Sequence, residues 1–323
     1  MIQMTCVCIA ILGSTLWTVF FVLYSPANTQ NNTAILDSPF SLRKLKQNSM
    51  KNITLVCLTL LFIGCKVSET PKTNPNQNNL RTQIPKREHS IQSVLWQQHS
   101  GEYKALCHQA FNLARLQLDK VLLQDVSEGK SLAIITDIDE TLINNSPYNA
   151  KMIETDEGYS RESWVQWGLL EKATPVPGAL EFLKYAESRG VHVYYISNRY
   201  VGQGEETKRN LKKLGYPFVD DEHMLLRKET SGKEERRQLV SKDNEVIMLL
   251  GDNLSDFAEV FDDKSTDQRN ELEESVKDKF GVAYIVLPNP MYGDWETKGL
   301  YEGKYDWSPA QKDSIRRAKL ISY

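Results

Sequence analysis

A four-residue apolar run that ends at two acids constrains this chain more than any other stretch. Residues 131–145 read SLAIITDIDETLINN. Leu132, Ala133, Ile134 and Ile135 have the pattern of a short strand buried on both faces. Asp137 and Asp139 follow almost at once. An ionised acid inside a buried strand carries a large desolvation penalty unless it is paired. The strand must therefore end here. At a strand's C-terminal end, residues i and i+2 lean to the same side and can share one ligand. In open α/β sheets that edge is where ligands bind. Taken alone, the two acids fit a solvated turn as well as a ligand site.

The remainder of the chain supplies a matching architecture. From Ile91 to Gln124 apolar residues recur at helical spacing, with a break near Ser100–Gly101. Trp96 and Tyr103 in this stretch read as core packing in preference to a ligand stack. Further strands are predicted over 191–196, 224–226, 245–250 and 282–287. Helices are predicted over 179–188, from the end of the second strand to Leu214, and over 233–240, 255–260, 266–279 and 308–320. Strands that alternate with helices indicate a parallel sheet with helices on both faces. Residues 144–174 are polar and aromatic, with helical character from Arg161 to Ala173. They are expected to form a small, mainly helical cap over the sheet's C-terminal edge, with further cap elements near 91–128.

With 323 residues and a formal net charge of −3, the chain has room for one sizeable α/β domain and a small accessory element. So small a net charge argues against a nucleic-acid polymer as partner, since such binders present a basic face. Of the five cysteines, Cys6, Cys8, Cys57 and Cys65 lie in apolar N-terminal segments. Only Cys107 falls in the expected folded domain, which therefore has no internal disulfide. The five histidines are scattered and give no zinc-ligand spacing.

Three predicted strand ends carry polar residues: Asp137 with Asp139, Ser197 with Asn198, and Asp252 with Asp256. Lys233 precedes the last pair. All can meet at one rim of a parallel sheet. A carboxylate cluster without His or Cys is a hard-oxygen site, suited to Mg²⁺. Converging carboxylates repel one another unless a cation offsets them. An acid nucleophile, a hydroxyl, a lysine and a divalent ion make up a phosphoryl-transfer set.

These residues also carry a resemblance. DIDET at 137–141, SNR at 197–199, Lys233 and GDNLSDF at 251–257 resemble the four motifs of the haloacid dehalogenase (HAD) superfamily. More narrowly they look like its class C acid phosphatases, the bacterial lipoprotein 5'-nucleotidases. EYKALCHQAFNLA at 102–114, PVPGALEF at 175–182 and LPNPMYGDWE at 287–296 are similar to that family too, so the resemblance covers about residues 90–307. It implies a HAD-like Rossmannoid sheet and a Mg²⁺-dependent phosphomonoesterase working through an aspartyl-phosphate.

In that family's terms Asp137 would be the nucleophile, and Asp139 the general acid and then base, its backbone carbonyl also reaching the metal. Ser197 and Asn198 would hold phosphoryl oxygens. Lys233 would steady the nucleophile and the phosphoryl group, with Lys228 as the alternative. Asp137, Asp139, Asp252 and Asp256 would make the metal site. Trp164 and Tyr292 match positions that sandwich a nucleobase or aryl ring, with Tyr148, Trp167 and Trp295 as weaker candidates for the same wall. Cap packing is the competing role for these aromatics. Nucleoside 5'-monophosphates and aryl phosphates are the implied substrates. A phosphotransferase on the same scaffold and a non-catalytic surface lipoprotein are the alternatives.

The N-terminus reads as a targeting region over residues 1–65. Residues 4–24 are apolar enough in sequence to span a bilayer. A second apolar run, from Ile53, ends in LLFIGC at Cys65. With Lys51 before it, this run fits a secretory signal and resembles a bacterial lipoprotein signal, in which Cys65 would be lipidated. Met50 is then a candidate true start, with 1–49 as an over-extended start and 50–65 as the signal. Residues 66–90 read as a flexible tether and 91–323 as the phosphatase domain. Lys66 after Cys65 favours the outer membrane, facing the periplasm or the exterior, as the site of the anchor.

Overall fold

The computed structural model describes residues 84–124 and 129–323. The expected targeting region, Cys65 and all but the end of the tether lie outside the described residues. Among the described residues no helix is long and apolar enough to cross a membrane.

Five strands form one parallel sheet: β1 (Ser131–Thr136), β4 (His192–Tyr200), β5 (Met224–Arg227), β6 (Asn244–Gly251) and β7 (Tyr284–Val286). Their spatial order is β5-β4-β1-β6-β7, so β1 is the centre. The chain builds outward from β1 through β4 to β5, then returns to β1's other side with β6 and β7. The direction reverses beside β1, and the crevice outside the carboxyl ends there is where a doubly wound sheet binds ligands. The backbone amide of Asp137 still donates to the Leu250 carbonyl at 2.9 Å, so the first acid is held in the sheet's ladder.

Each strand's alternation sorts its side chains between two cores. Ile134, Val193, Tyr195, Met248 and Leu250 face one side. There they meet Cys107, Phe111, Ala114 and Leu118 of α2 (Gly101–Leu122), Phe182 and Leu183 of α5 (Ala179–Ser188), and Leu211 of α6 (Gly204–Leu214). Ala133, Ile135, Tyr194 and Ile196 face the other side, against Val240 of α7 (Glu234–Asp243). Because both faces are covered, β1 reads in sequence as a continuous apolar run and not as an alternation.

The stretch near 91–128 divides. Its first helix, α1 (Ile91–His99), packs against α3 (Ser146–Thr155) of the cap. The longer α2 does not belong to the cap, contrary to expectation; its buried stripe from Tyr103 to Leu118 makes it a covering helix of the sheet. Trp96 and Tyr103 pack edge to face at 5.6 Å, in the core role.

The cap itself consists of α3 and α4 (Arg161–Leu169), flanked by a two-stranded antiparallel ribbon of β2 (Ile143–Asn144) and β3 (Thr174–Pro175). The C-terminal end of α3 is closed by Asp156 in the left-handed region, φ 51°. The Asp156 carboxylate accepts from the Lys86 and Arg87 amides at 2.6 and 3.2 Å, which fastens the start of the described chain to the cap. Beyond β7, residues Trp295–Leu300 wind as a π-helical turn. After α8 (Thr266–Ser275), the chain ends with α9 (Pro309–Ala318).

Candidate active site

Three acids and one lysine converge at the carboxyl ends of β1 and β6. Lys233 immediately precedes α7 and is 5 % exposed. Its ammonium donates to Asp137 Oδ1 and, at 2.6 Å, to Asp256 Oδ1. Lys228 is exposed. Asp256 sits in a 3-10 turn, Leu254–Asp256, and its Oδ2 accepts from the Asn253 amide at 3.0 Å. That turn folds back so tightly on Gly251 that a Cβ there would lie 2.4 Å from Asp256 Cβ. The glycine of the GDN sequence is therefore a packing requirement of Asp256. Asp252 is held at both oxygens, by the Thr141 hydroxyl at 3.2 Å and by Asn289 Nδ2 at 2.8 Å.

Carboxylate oxygens of Asp137, Asp252 and Asp256 lie within 4.8 Å of one another. Burial pushes Asp137 well above the usual carboxylate range, against the pull of Lys233 and helped by the charges of Asp256 and Asp252. Burial, then the charge of Asp256, pushes Asp252 up to about 7. Lys233 is held up to about 12 by Asp137 and Asp256, against the opposing effect of its burial. One ammonium thus faces three carboxylates, and the site is short of positive charge. A divalent, oxygen-seeking cation fits both the donor set and the charge deficit.

Asp139 belongs to a neighbouring arrangement. Its carboxylate is gripped by Arg199, with Nη2 at 2.8 Å and Nε at 3.0 and 3.1 Å, and accepts from Asn145 Nδ2 at 2.8 Å. The Asp139 side chain is turned to this guanidinium, apart from the three-acid cluster. Glu140 follows with φ 60°, an uncommon backbone state for a residue with a Cβ. It is fully buried. Its Oε1 accepts from the Asn145 amide at 2.7 Å, and its Oε2 accepts from the Tyr292 hydroxyl. Burial, then the charges of Asp139 and Asp252, push the Glu140 carboxyl well above its usual range. The Trp167 indole donates to Asn145 Oδ1 at 2.8 Å, so this ring is a strut for Asn145.

Ser197 is buried at the end of β4, and its hydroxyl accepts from the Arg199 amide at 3.1 Å. Asn198 is exposed, and its Oδ1 accepts from Arg236 Nη2 at 2.9 Å. Trp164 on α4 is partly exposed, packs edge to face on Tyr148 at 5.0 Å, and has the Arg199 guanidinium 5.5 Å from its ring centre. Tyr292 reaches the same network from the opposite side of the sequence through Glu140. Trp295 is 44 % exposed and donates to the Tyr292 carbonyl at 3.2 Å.

Glu140, Asn145, Arg199 and Arg236 carry no role predicted from sequence, and neither do Thr141 and Asn289, which hold Asp252. Glu140 and Arg199 lie inside the quoted DIDET and SNR stretches, and Asn145 closes the opening segment, so adjacency to the acids was the available signal. Arg236 stood out only as a second basic residue in the first turn after Lys233.

Comparison with known proteins gives a consistent picture. The family model described as HAD superfamily, subfamily IIIB (acid phosphatase) matches residues 59–295. The class C acid phosphatase from Bacillus anthracis superposes with a TM-score of 0.71 at 42 % identity, covering 74 % of this chain and 100 % of that one. The same enzyme with tungstate bound gives 0.70 at 43 % identity, covering 73 % and 98 %. Among curated proteins, the stem 31 kDa glycoprotein of Glycine max is 26 % identical over 161 residues, 48 % of this chain and 57 % of its own length. The chain spans about half the length of the curated relatives it matches.

Proposed function

The chain belongs to the HAD superfamily, subfamily IIIB (acid phosphatase), and on that premise we propose that it hydrolyses phosphate monoesters, with Asp137 as nucleophile. The observation that carries this reading is the bond from Lys233 to both Asp137 and Asp256 beside Asp252. Lys233 takes Oδ1 of Asp137, which leaves Oδ2 to attack phosphorus. Attack forms the aspartyl-phosphate as the ester P–O bond breaks, and the departing oxygen takes a proton from Asp139. Asp139 then accepts a proton from a water that attacks the phosphorus; phosphate leaves and Asp137 is regenerated. Arg199 and Asn145 orient Asp139, which must give up part of that pairing to face the leaving group.

Asp137, Asp252 and Asp256 would hold Mg²⁺ through their side chains, with the Asp139 carbonyl completing the set. Bound there, Mg²⁺ would offset the carboxylate repulsion and the phosphoryl charge. Ser197 and Asn198, at the end of β4, would receive the phosphoryl oxygens.

Nucleoside 5'-monophosphates and aryl phosphates are the substrates we propose, with Trp164 and Tyr292 as the aromatic wall. Flat rings read little base identity, so the preference would be broad. Cys65 would carry a lipid anchor in the outer membrane. The role would be to strip phosphate from nucleotides outside the cell so that nucleosides can be imported. Phosphate release from p-nitrophenyl phosphate and from a nucleoside monophosphate, with Mg²⁺ and with chelator, tests the proposal. Turnover that a chelator abolishes and Mg²⁺ restores supports it; no release from either substrate overturns it.

A further inference from the structure

Arg236 lies in the first turn of α7, three residues after Lys233. It is half-buried. Its guanidinium joins two segments of the candidate site. Nη1 donates to the Ser197 carbonyl at 2.6 Å and to the Leu225 carbonyl at 3.3 Å. Nη2 donates to Asn198 Oδ1 at 2.9 Å and to the Gly232 and Ser231 carbonyls at 3.0 and 3.3 Å. One planar fork thus ties the end of β4 to the loop that delivers Lys233.

The bond to Asn198 has a further chemical consequence. A guanidinium has donors and no acceptor, so only the oxygen of the Asn198 amide can face it. The amide's oxygen accepts while its N–H₂ donates, and an unpaired side chain can present either end. With Oδ1 committed to Arg236, Nδ2 must point the other way. Among the described residues Nδ2 has no acceptor of its own. An exposed Asn at this rim could equally turn its oxygen outward, where it would repel an anion. Arg236 removes that choice.

We infer that Arg236 is the positioning residue of the phosphate subsite: it fixes the Asn198 amide with its N–H₂ outward, as a donor for a phosphoryl oxygen. The inference rests on the phosphatase reading for the location of the phosphoryl group. Arg236 acts through Asn198 and does not itself touch substrate. Lysine is a poor replacement, because a single ammonium cannot reproduce the fork that spans Ser197, Asn198 and the Ser231–Gly232 carbonyls.

The test is binding of inorganic phosphate to the full chain, by calorimetry in Mg²⁺ buffer, for wild type, R236M, R236K, N198A and the double variant N198A/R236M. R236M should weaken phosphate binding roughly tenfold, as expected for one lost charge-directed hydrogen bond. It should raise KM for p-nitrophenyl phosphate in proportion and lower kcat much less. R236K should resemble R236M. In the N198A background, R236M should add less than about twofold, since its target is gone.

The inference is overturned if R236M binds phosphate like wild type, if R236K restores binding, or if the two single effects multiply in the double variant. Should R236M fail to melt cooperatively, the N198A/R236K pair decides by the same criteria. Because the readout is binding, wild-type protein that binds phosphate without turnover would defeat the phosphatase reading while leaving this relationship measurable.

Discussion

Tyr292 donates its hydroxyl to the buried carboxylate of Glu140, across 152 residues of sequence. This bond joins the loop after β7 to the turn after β1, next to Asp139. Glu140 is in turn tied to the Asn145 amide at 2.7 Å. The Tyr292 ring is therefore placed by the same network that holds Asp139.

Tyr292→Phe keeps the ring and removes that bond. We expect a stability loss of about 1 kcal/mol, the usual net worth of one hydrogen bond. KM for a nucleoside monophosphate should rise several-fold, with kcat nearly unchanged, since a loosened ring weakens binding and leaves the chemistry alone. Steady-state kinetics checks this; an unchanged KM would show that the bond to Glu140 is not what holds the ring for substrate.

Trp164→Ala should hurt nucleotide use more than use of a small alkyl phosphate. Base stacking on an aromatic face contributes about 1–3 kcal/mol, so the ratio of the two kcat/KM values should fall by roughly tenfold. Equal losses on both substrates would remove the stacking role and leave Trp164 as a packing partner of Tyr148.

Gly251→Ala places a methyl 2.4 Å from Asp256 Cβ, a distance no real structure tolerates. Asp256 must move, and with it the second acceptor of Lys233. A destabilisation on the order of 1–3 kcal/mol is expected from such overpacking, together with loss of metal binding. Calorimetric titration with Mg²⁺ reads the second effect. Wild-type affinity in this variant would show that Asp256 is not needed where it stands.

Metal-free protein should also show an unusual pH dependence. Asp252 is raised from the ordinary 3.8 to about 7, by burial and by Asp256. For a carboxyl raised in the folded state, the folded form holds a proton that the unfolded chain has released. That contribution to stability is complete below about pH 4 and is lost as pH rises through about 7. The melting temperature of the metal-free protein should therefore fall across this window. Saturating Mg²⁺ should flatten the fall, because the ion replaces the proton. A metal-free melting temperature that is level or rising over the same range would contradict the charge deficit at the site.

Much of this arrangement is legible in sequence, and the gaps have physical causes. β1 and its acids stand out because apolar residues and carboxylates cannot share a buried strand. α5 is bounded as expected, and α6 ends as expected, because Gly178, Gly190 and Gly215 mark those ends; the start of α6 comes later than expected, at Gly204, because β4 runs on to Tyr200. The ribbon of β2 and β3 is two residues per strand, too short for any period to register. α3 reads SPYNAKMIET, whose mixed composition gives no clear apolar stripe. For α2, periodicity shows that one face is apolar but not which layer covers it, and the structure packs that face on the sheet, not in the cap. The grip of Arg199 on Asp139 joins residues 60 apart, and a basic residue in a motif carries no mark of the acid it will meet.

The central claim is that Asp137 attacks phosphorus. Asp137→Asn is nearly isosteric and still accepts a bond from Lys233, so the fold should survive, as near-wild-type melting would show. The decisive measurement is its kcat on p-nitrophenyl phosphate beside wild type, with Mg²⁺ present. The expected result is a loss of at least about a thousandfold, as for removal of a nucleophile elsewhere. Turnover within about tenfold of wild type, in a folded variant, would contradict it.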